Sequence, residues 1–576
     1  MKIIEKINSL STSQIISIII FVGFIAFANI FGNSFVWDDE DMVVKNFPIF
    51  QTTNIPQLFQ QATFYSGGSG LSGWFYRPLV MISFLLTGVV FGQNPFGFHL
   101  VQLALHLAGA SILFLVLKEL FQLKVKKEAT PLALLLSLIF VVHPAHVEAV
   151  SYIASIAEPL YTLLFLLAFL VIIKSKGKRL TSKKFYIIVA SYFLSLLTKE
   201  GAIIFLPIVA VYLFFFDKRA LLKKIMPFIV GFGGYLLIRL TFFGIQTQRP
   251  YFLSPISNVS FYERLLTVPF VFSRFLTTFV FPKVLSVSQH RVVMSINDPY
   301  FIAPLIFSLA FLLTVTFYLV KKKSKIATFF ALWFVFAISP VLNLILPLDM
   351  SFAERWLYIP MIGLLGFIGS LVIETKFLKR NIDKILVIGS LAVMVLMART
   401  LYRNMDWKDG YTLYSHDIEI EPESFDLQNN LGVEMFRKGE YEGAFLHFEK
   451  SVELQPKWTI SLNNLAVTYE NRGDDNMAYE YYLKSVETGN YYLAYENLAA
   501  LTLELYGPEK TVEFLDEALV KYPNNTKLNH VAAISYYELE ERALALFHAQ
   551  KAYELYPSSQ NLDIYQAIRD GKDIGF

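Results

Sequence analysis

Four consecutive carboxylates, Asp38-Asp39-Glu40-Asp41, follow Trp37 just past the first long apolar stretch of the chain. Held together at a membrane exit, such groups repel one another. Burial or like charge then lifts one of them toward the range of a general base, and the same set suits a divalent cation. A second constellation is His143-Pro144-Ala145-His146-Val147-Glu148. Two imidazoles and a carboxylate suit a metal, but Pro144 breaks the helical ladder that would align them. Hydrogen bonding to a phosphate, a sugar or the first loop's carboxylates is the better expectation. A metal, if held, would take Asp38, Asp39 and Glu148. Glu158, one turn into the next apolar stretch, is either packed against a helix or directed into the cavity, and an acid at that depth is functional by default. The cations are Arg77, Lys199 in TKEG and Arg355 in FAERWLYIP, each where an anionic head group would sit. Each group also has a plainer reading: a solvated turn for the acids, snorkelling anchors or ion pairs with Glu200 and Glu354 for the cations.

The elements that must carry these groups are set by composition. Of 576 residues 55% are hydrophobic, 54 are Phe, and charged residues make up only 17%, below the ~25% of soluble domains. The apolar residues gather in long runs as far as residue 402; beyond it charge density is ordinary and Tyr is frequent. The chain therefore reads as two all-α domains in two solvents. There is no Cys, which excludes disulfides, Cys-ligated zinc and thiol catalysis. The basic N-terminus before an apolar core has the form of a signal peptide, but the stretch is long and lacks a small-x-small cleavage site, so it reads as an uncleaved span.

A helix needs ~20 apolar residues to cross the hydrocarbon core. Eleven stretches qualify: 13–32, 98–118, 130–143, 150–173, 184–198, 201–216, 225–243, 300–320, 326–346, 356–374 and 385–402. With a cytoplasmic N-terminus, the basic loops at 118–127, 174–184, 218–224, 321–325 and 376–384 all fall inside. This requires 47–64 and 77–92 to lie in the interface within an external loop 33–97, and 244–298 to be a second external loop. Every chemically interesting motif, and the C-terminal part, then lies on the non-cytosolic face. A transporter would instead carry polar groups at mid-membrane in paired halves, and no such duplication is visible.

After a linker at 404–424, the chain repeats every 33 or 34 residues. Leu431-Gly432, Ala444, Phe448 and Pro456 are followed by Leu465-Ala466, Ala478 and Tyr482, with Asn490 where proline is expected. Then come Leu498-Ala499, Ala518 and Pro523, and last Ala532-Ala533, Ala545, Ala552 and Pro557. Small residues at these offsets let paired helices approach, and proline ends each pair. This is the tetratricopeptide (TPR) pattern, about four units over 425–576, stacking into an α-solenoid with a concave groove. Tyr479–Tyr495 reads as repeat core, with groove lining as the alternative, and Asn463, Asn464 and Asn497 suit recognition of an extended chain.

The motifs in their order resemble a known family. WDDEDMVVKN, FYRPL, NPFGFHLVQLALH, HPAHVEAV, TKEG and AERWLYIP, followed by the repeats, are similar to the TMTC group of transmembrane and TPR-containing O-mannosyltransferases. More distantly they are similar to protein O-mannosyltransferases of the GT-C superfamily. The resemblance implies a GT-C fold over 1–403. It implies a polyprenyl- or dolichyl-phosphate sugar as donor, mannose being the expected sugar, with no tightly bound cofactor and a divalent metal as an option. The acceptor would be a Ser/Thr hydroxyl of a protein held partly by the repeats. It puts Asp38 and Asp39 on the family's paired acids, with Asp39 favoured as base. His143, His146 and Glu148 fall on the second external motif, and Arg355, Lys199 and Arg77 toward the donor phosphate. The chain is shorter than the eukaryotic members, as a prokaryotic relative in the plasma membrane would be; a eukaryotic one would sit in the endoplasmic reticulum. Two other readings stand beside this one: transfer to a lipid or envelope glycan, and a non-enzymatic membrane-anchored scaffold. No nucleic acid partner is expected.

Overall fold

The computed structural model describes residues 2–47, 55–59, 75–242 and 254–572. Most of the expected interfacial segment 47–64 and the start of the loop 244–298 lie outside them. The described residues form two compact units, one running to Glu421 and the other from Pro422 onward. Helices and their connecting turns make up both; the strand-like pairing among the described residues is an isolated bridge between Gln289 and Phe352.

The first unit is a polytopic helical membrane bundle. Among the described residues seven helices are long and apolar enough to cross a bilayer: Thr12–Gly32, Pro95–Gln122, Ile153–Lys174, Lys218–Phe242, Pro299–Lys322, Glu354–Glu374 and Ile382–Asp406. Ala129–Val141 followed by Pro144–Ser151 makes an eighth only as a pair bent by 53°. The expected count of eleven is not reached. Of the other stretches, 184–198 lies in a helix of 17 residues and 326–346 in one of 14, with 201–216 in the short apolar helix Glu200–Phe216. At 1.5 Å per residue these span roughly 20–26 Å, less than the ~30 Å core. The apolar run at 77–92 is the 14-residue helix Pro78–Phe91.

Lipid-facing and buried surfaces separate cleanly. Pro299–Lys322 buries only Ser308 and exposes Ile306, Leu313, Phe317 and Val320, the composition of a helix solvated by hydrocarbon. Tyr358–Glu374, by contrast, is buried along most of its length and packs closely on Lys325–Ile338. Gly363 permits that approach: a Cβ there would lie 2.6 Å from the backbone nitrogen of Phe334 and 2.9 Å from its Cα. Small residues at such crossings let helix backbones touch where no hydrophobic effect drives them together.

The stretch read as a linker, 404–424, is mostly structured. Gly410–Ile420 is a helix, capped by Asp409, whose carboxylate accepts from the Thr412 N–H at 2.8 Å. It belongs to the first unit because Asp417, fully buried, takes a bidentate pair from Arg403 at 2.7 and 3.0 Å.

The second unit is an α-solenoid of antiparallel pairs: Phe425–Arg437 with Tyr441–Leu454, Thr459–Asn471 with Asp475–Thr488, Tyr492–Tyr506 with Pro508–Lys521, and Thr526–Glu538 with Arg542–Leu555. A further helix, Ser559–Asp570, packs on the end. The small positions seen in sequence are the contact points: Ala444, Ala478, Ala518 and Ala545 are all fully buried. Tyr482 and Tyr495 are repeat core. The asparagines form a ladder between repeats, Asn464 donating to Asn429 at 2.9 Å and Asn497 to Asn463 at 3.1 Å.

Candidate active site

The acidic run does not act as a block. Residues 40–44 coil into a wide helical turn, so successive side chains leave in different directions. Asp41 pairs with Lys45 at 2.5 Å. Asp39 is fully buried and accepts two backbone N–H bonds, from Ala154 at 2.6 Å and Val36 at 3.1 Å. Its carboxylate is thereby consumed in pinning this turn to the loop after Ser151. Asp38 remains partly exposed. Burial pushes its carboxyl up to about 6, and Asp41 and Asp349 add to the rise; the Tyr152 hydroxyl and the Arg355 guanidinium oppose it.

Trp37, which precedes the pair, has φ of 53°. A bulky residue in the left-handed region costs of order 1–3 kcal/mol and is kept only where its surroundings over-determine it. Here the indole stacks on Tyr152 at 5.7 Å and 17°.

The three cations gather around the same region, each neutralised by an acid distant in sequence. Arg355 pairs with Glu148, which also accepts the Arg355 backbone N–H at 2.8 Å. Lys199 pairs with Glu158, and Arg77 with Glu200 at 2.8 Å. Of the ion pairs expected with Glu200 and Glu354, Arg77–Glu200 forms, whereas Lys199 and Arg355 turn from their sequence neighbours to Glu158 and Glu148. Glu200–Ile204 and Glu354–Leu357 begin tight 3-10 turns, which turn adjacent side chains apart. Glu354 is itself fully buried, with Arg403 and Arg274 as its cationic neighbours.

Several contributors had no sequence signal. Tyr161 carries Lys199 over its ring at 5.6 Å and neighbours Glu158. Asp349 is exposed and lies within electrostatic reach of Asp38, Arg77 and Arg355. Its loop is drawn in by Asn343, whose amide donates to Ser351 at 3.0 Å and accepts from Leu348 at 2.7 Å. Only Asn343 and Asp349, single polar residues in a short apolar-flanked loop, could have hinted at it.

The two histidines take a different role from the one expected. His143 and His146 are fully buried. His143 Nδ1 accepts from the Ala145 N–H at 3.2 Å, so its Nε2 carries the proton and donates to the Phe279 carbonyl at 3.0 Å. His146 packs between Phe140 and Tyr358, each 4.5 Å away ring to ring. His143 braces a turn, and both buried nitrogens of His146 lack a hydrogen-bond partner among the described residues; of the motif, Glu148 is the residue that reaches the polar cluster. The expected metal donors already have other partners. Asp39 is occupied by backbone N–H groups and Glu148 by Arg355, so the expected trio forms no cage. Among the described residues no three His, Asp or Glu side chains converge as one.

Together the two units define a polytopic helical membrane protein with a buried acid–cation cluster and a C-terminal TPR solenoid. By sequence it is similar to protein O-mannosyl-transferases of the TMTC kind. F38B6.6 of Caenorhabditis elegans is 24% identical over 420 residues, covering 72% of this chain and 59% of the relative. TMTC3 of Homo sapiens is 26% identical over 441 residues, covering 69% and 47%, and human TMTC4 is 26% identical over 482 residues, covering 73% and 63%. The chain thus spans about half the length of the curated relatives it matches. No family model matches. Among solved structures, YrrB, a TPR protein with an unusual peptide-binding site, is 16% identical over 28% of this chain and 85% of its own, with TM-score 0.24. Pseudomonas aeruginosa PilF is 16% identical over 34% and 95%, with TM-score 0.26.

Proposed function

We propose that this protein is a membrane glycosyltransferase that moves a sugar, mannose by the names of its relatives, from a polyprenyl- or dolichyl-phosphate donor to a Ser/Thr hydroxyl of a protein. The observation that carries the reading is Asp38: a partly exposed carboxylate held near neutrality, with Arg355 beside it. A base with that affinity takes the proton of an acceptor hydroxyl as the hydroxyl attacks the anomeric carbon. The departing phosphate is stabilised by Arg355, with Lys199 and Arg77 behind it. Each cation arrives already paired, so the incoming phosphate must compete with Glu148, Glu158 or Glu200. That competition favours a multiply charged head group over a neutral lipid. The solenoid groove is proposed to hold the acceptor. Its cleft of about 730 Å³, lined by Lys527, His530, Ile534, Tyr556 and Asn561, has the mixed lining that suits an extended peptide.

The full chain reconstituted in vesicles with polyprenyl-phosphate mannose and a Ser/Thr-rich peptide is expected to yield mannosylated peptide. Transfer to a co-supplied glycolipid with none to peptide would replace the protein acceptor by an envelope glycan. Transfer to neither would sink the enzyme.

The proposal also needs Asp38 and the solenoid on one non-cytosolic face. The absence of Cys makes labelling simple: Lys45→Cys and Lys457→Cys, both exposed positions, are expected to react together with an impermeant maleimide from the non-cytosolic side. Reaction from opposite sides would defeat the arrangement.

A further inference from the structure

We infer that Tyr152 is the positioning residue for the Asp38 carboxyl, its hydroxyl donating to one carboxylate oxygen so that the other is aimed at the acceptor. The inference rests on the reading of Asp38 as base and adds the residue that sets it.

Two ring contacts and one backbone bond hold Tyr152 in place. One face stacks on Trp37 and the ring meets Trp407 at 5.6 Å, with Trp407 fully buried behind it. The backbone is held by Gln102, whose amide donates to the Tyr152 carbonyl at 2.6 Å. Two residues on, the Ala154 N–H is taken by Asp39, so the turn carrying Asp38 and the loop carrying Tyr152 are tied at two points. Tyr152 is 3% exposed, and its buried hydroxyl meets no partner at hydrogen-bonding geometry among the described residues, with Asp38, Asp39 and Arg355 its charged neighbours. Both Asp39 oxygens are taken by backbone N–H groups and a guanidinium only donates, so Asp38 is the acceptor left for the buried phenol, the alternative being an unmade bond in a dry site.

The groups facing Asp38 are Tyr152, Asp41, Arg355 and Asp349, with Asp39 adjacent. The acids disfavour its ionised form; Tyr152 and Arg355 favour it. Removing the phenol hydroxyl therefore raises the pH at which the base becomes active, while the aromatic stack stays.

The test is the pH dependence of kcat/KM for the full chain, with polyprenyl-phosphate mannose and a Ser/Thr peptide. The unmodified protein should lose activity as pH falls through about 6. Tyr152→Phe should move that limb upward by about one unit, with the activity above the limb recovered to within tenfold. A lower rate with an unmoved limb would make Tyr152 a packing residue and overturn the inference. Should Tyr152→Phe fail to fold, 3,5-difluorotyrosine at 152 keeps the shape and strengthens the donor; the limb should then move down, and an unmoved limb again overturns it. Asp38→Asn run alongside separates the failures. If that variant is active, the proposed base falls and the inference with it; if it is inactive while the limb stays put, the inference alone falls.

Discussion

Asp38→Asn is expected to lower transfer by 10²- to 10⁴-fold, the usual worth of a positioned general base, with the protein folded and its donor affinity little changed. The asparagine keeps the shape and still accepts from Tyr152, but it has no basic oxygen for the acceptor proton. Asp39→Asn is expected to fail differently. Both Asp39 oxygens accept backbone N–H groups, so an amide there must turn its NH₂ toward one donor. Leaving a buried N–H unpaired costs about 1–3 kcal/mol, and the loss should appear as a lower unfolding temperature in detergent together with reduced activity. Paired measurements of melting and of kcat in the two variants test the division of labour. A stable, inactive Asp39 variant beside an active Asp38 variant would return the base to Asp39. Full activity in the double variant would remove both acids from the mechanism.

The proposed division reverses the order expected from the family resemblance, for a physical reason. Read along the chain, Asp38 and Asp39 are neighbours in one acidic run and nothing separates them. Their difference lies in Ala154, 115 positions away, which spends the Asp39 carboxylate. The same holds for the cations. Arg77–Glu200 and Arg355–Glu148 join residues 123 and 207 positions apart, and a single sequence shows only that Arg355 adjoins Glu354. By contrast, the solenoid was legible throughout. Its information is local, a small residue at a fixed offset every 33 or 34 positions, and Ala444, Ala478 and Ala545 are buried where the period requires. The bundle stood between these extremes. Apolar runs located the helices, yet Pro144 and the turns at Glu200 and Ser339 cut several short of a bilayer's width. Hydropathy averaged over a window does not register such breaks. The histidines misled because a polar side chain in a motif invites a ligand, whereas a buried imidazole is also a flat ring that stacks and takes one backbone hydrogen bond at each nitrogen, as His143 does.

Asp417→Ala is expected to be the most destabilising single change at the end of the membrane unit. Arg403 closes the last long helix, is fully buried, and divides its guanidinium between Asp417, by two bonds, and Asp406 at 3.2 Å. Asp417 also accepts the Val287 N–H at 2.7 Å and meets His416 at 2.7 Å. One carboxylate therefore joins the last helix, the helix Gly410–Ile420 and the loop at 287. Burial pushes its carboxyl up, but Arg403, His416 and the Val287 N–H outweigh that and hold it below the usual carboxylate range. Truncation leaves a buried guanidinium with Asp406 as its remaining ion-pair partner; stranding one partner of such a pair costs roughly 3–5 kcal/mol, with Asp406 keeping the loss near the lower figure. Asp417→Asn, which retains an acceptor for Val287, should cost less. The pH dependence follows from the sign of the shift. A carboxylate whose pKa is depressed in the folded state contributes its stability above the unfolded value, ~3.9, and loses it as pH falls through the lower folded value. The difference in unfolding temperature between the parent and Asp417→Ala should therefore be full at pH 7 and shrink only below about pH 4. A difference that already vanished at pH 6, or an alanine variant as stable as its parent at neutral pH, would mean that Arg403 is satisfied without Asp417 and that the helix 410–420 is held by packing alone.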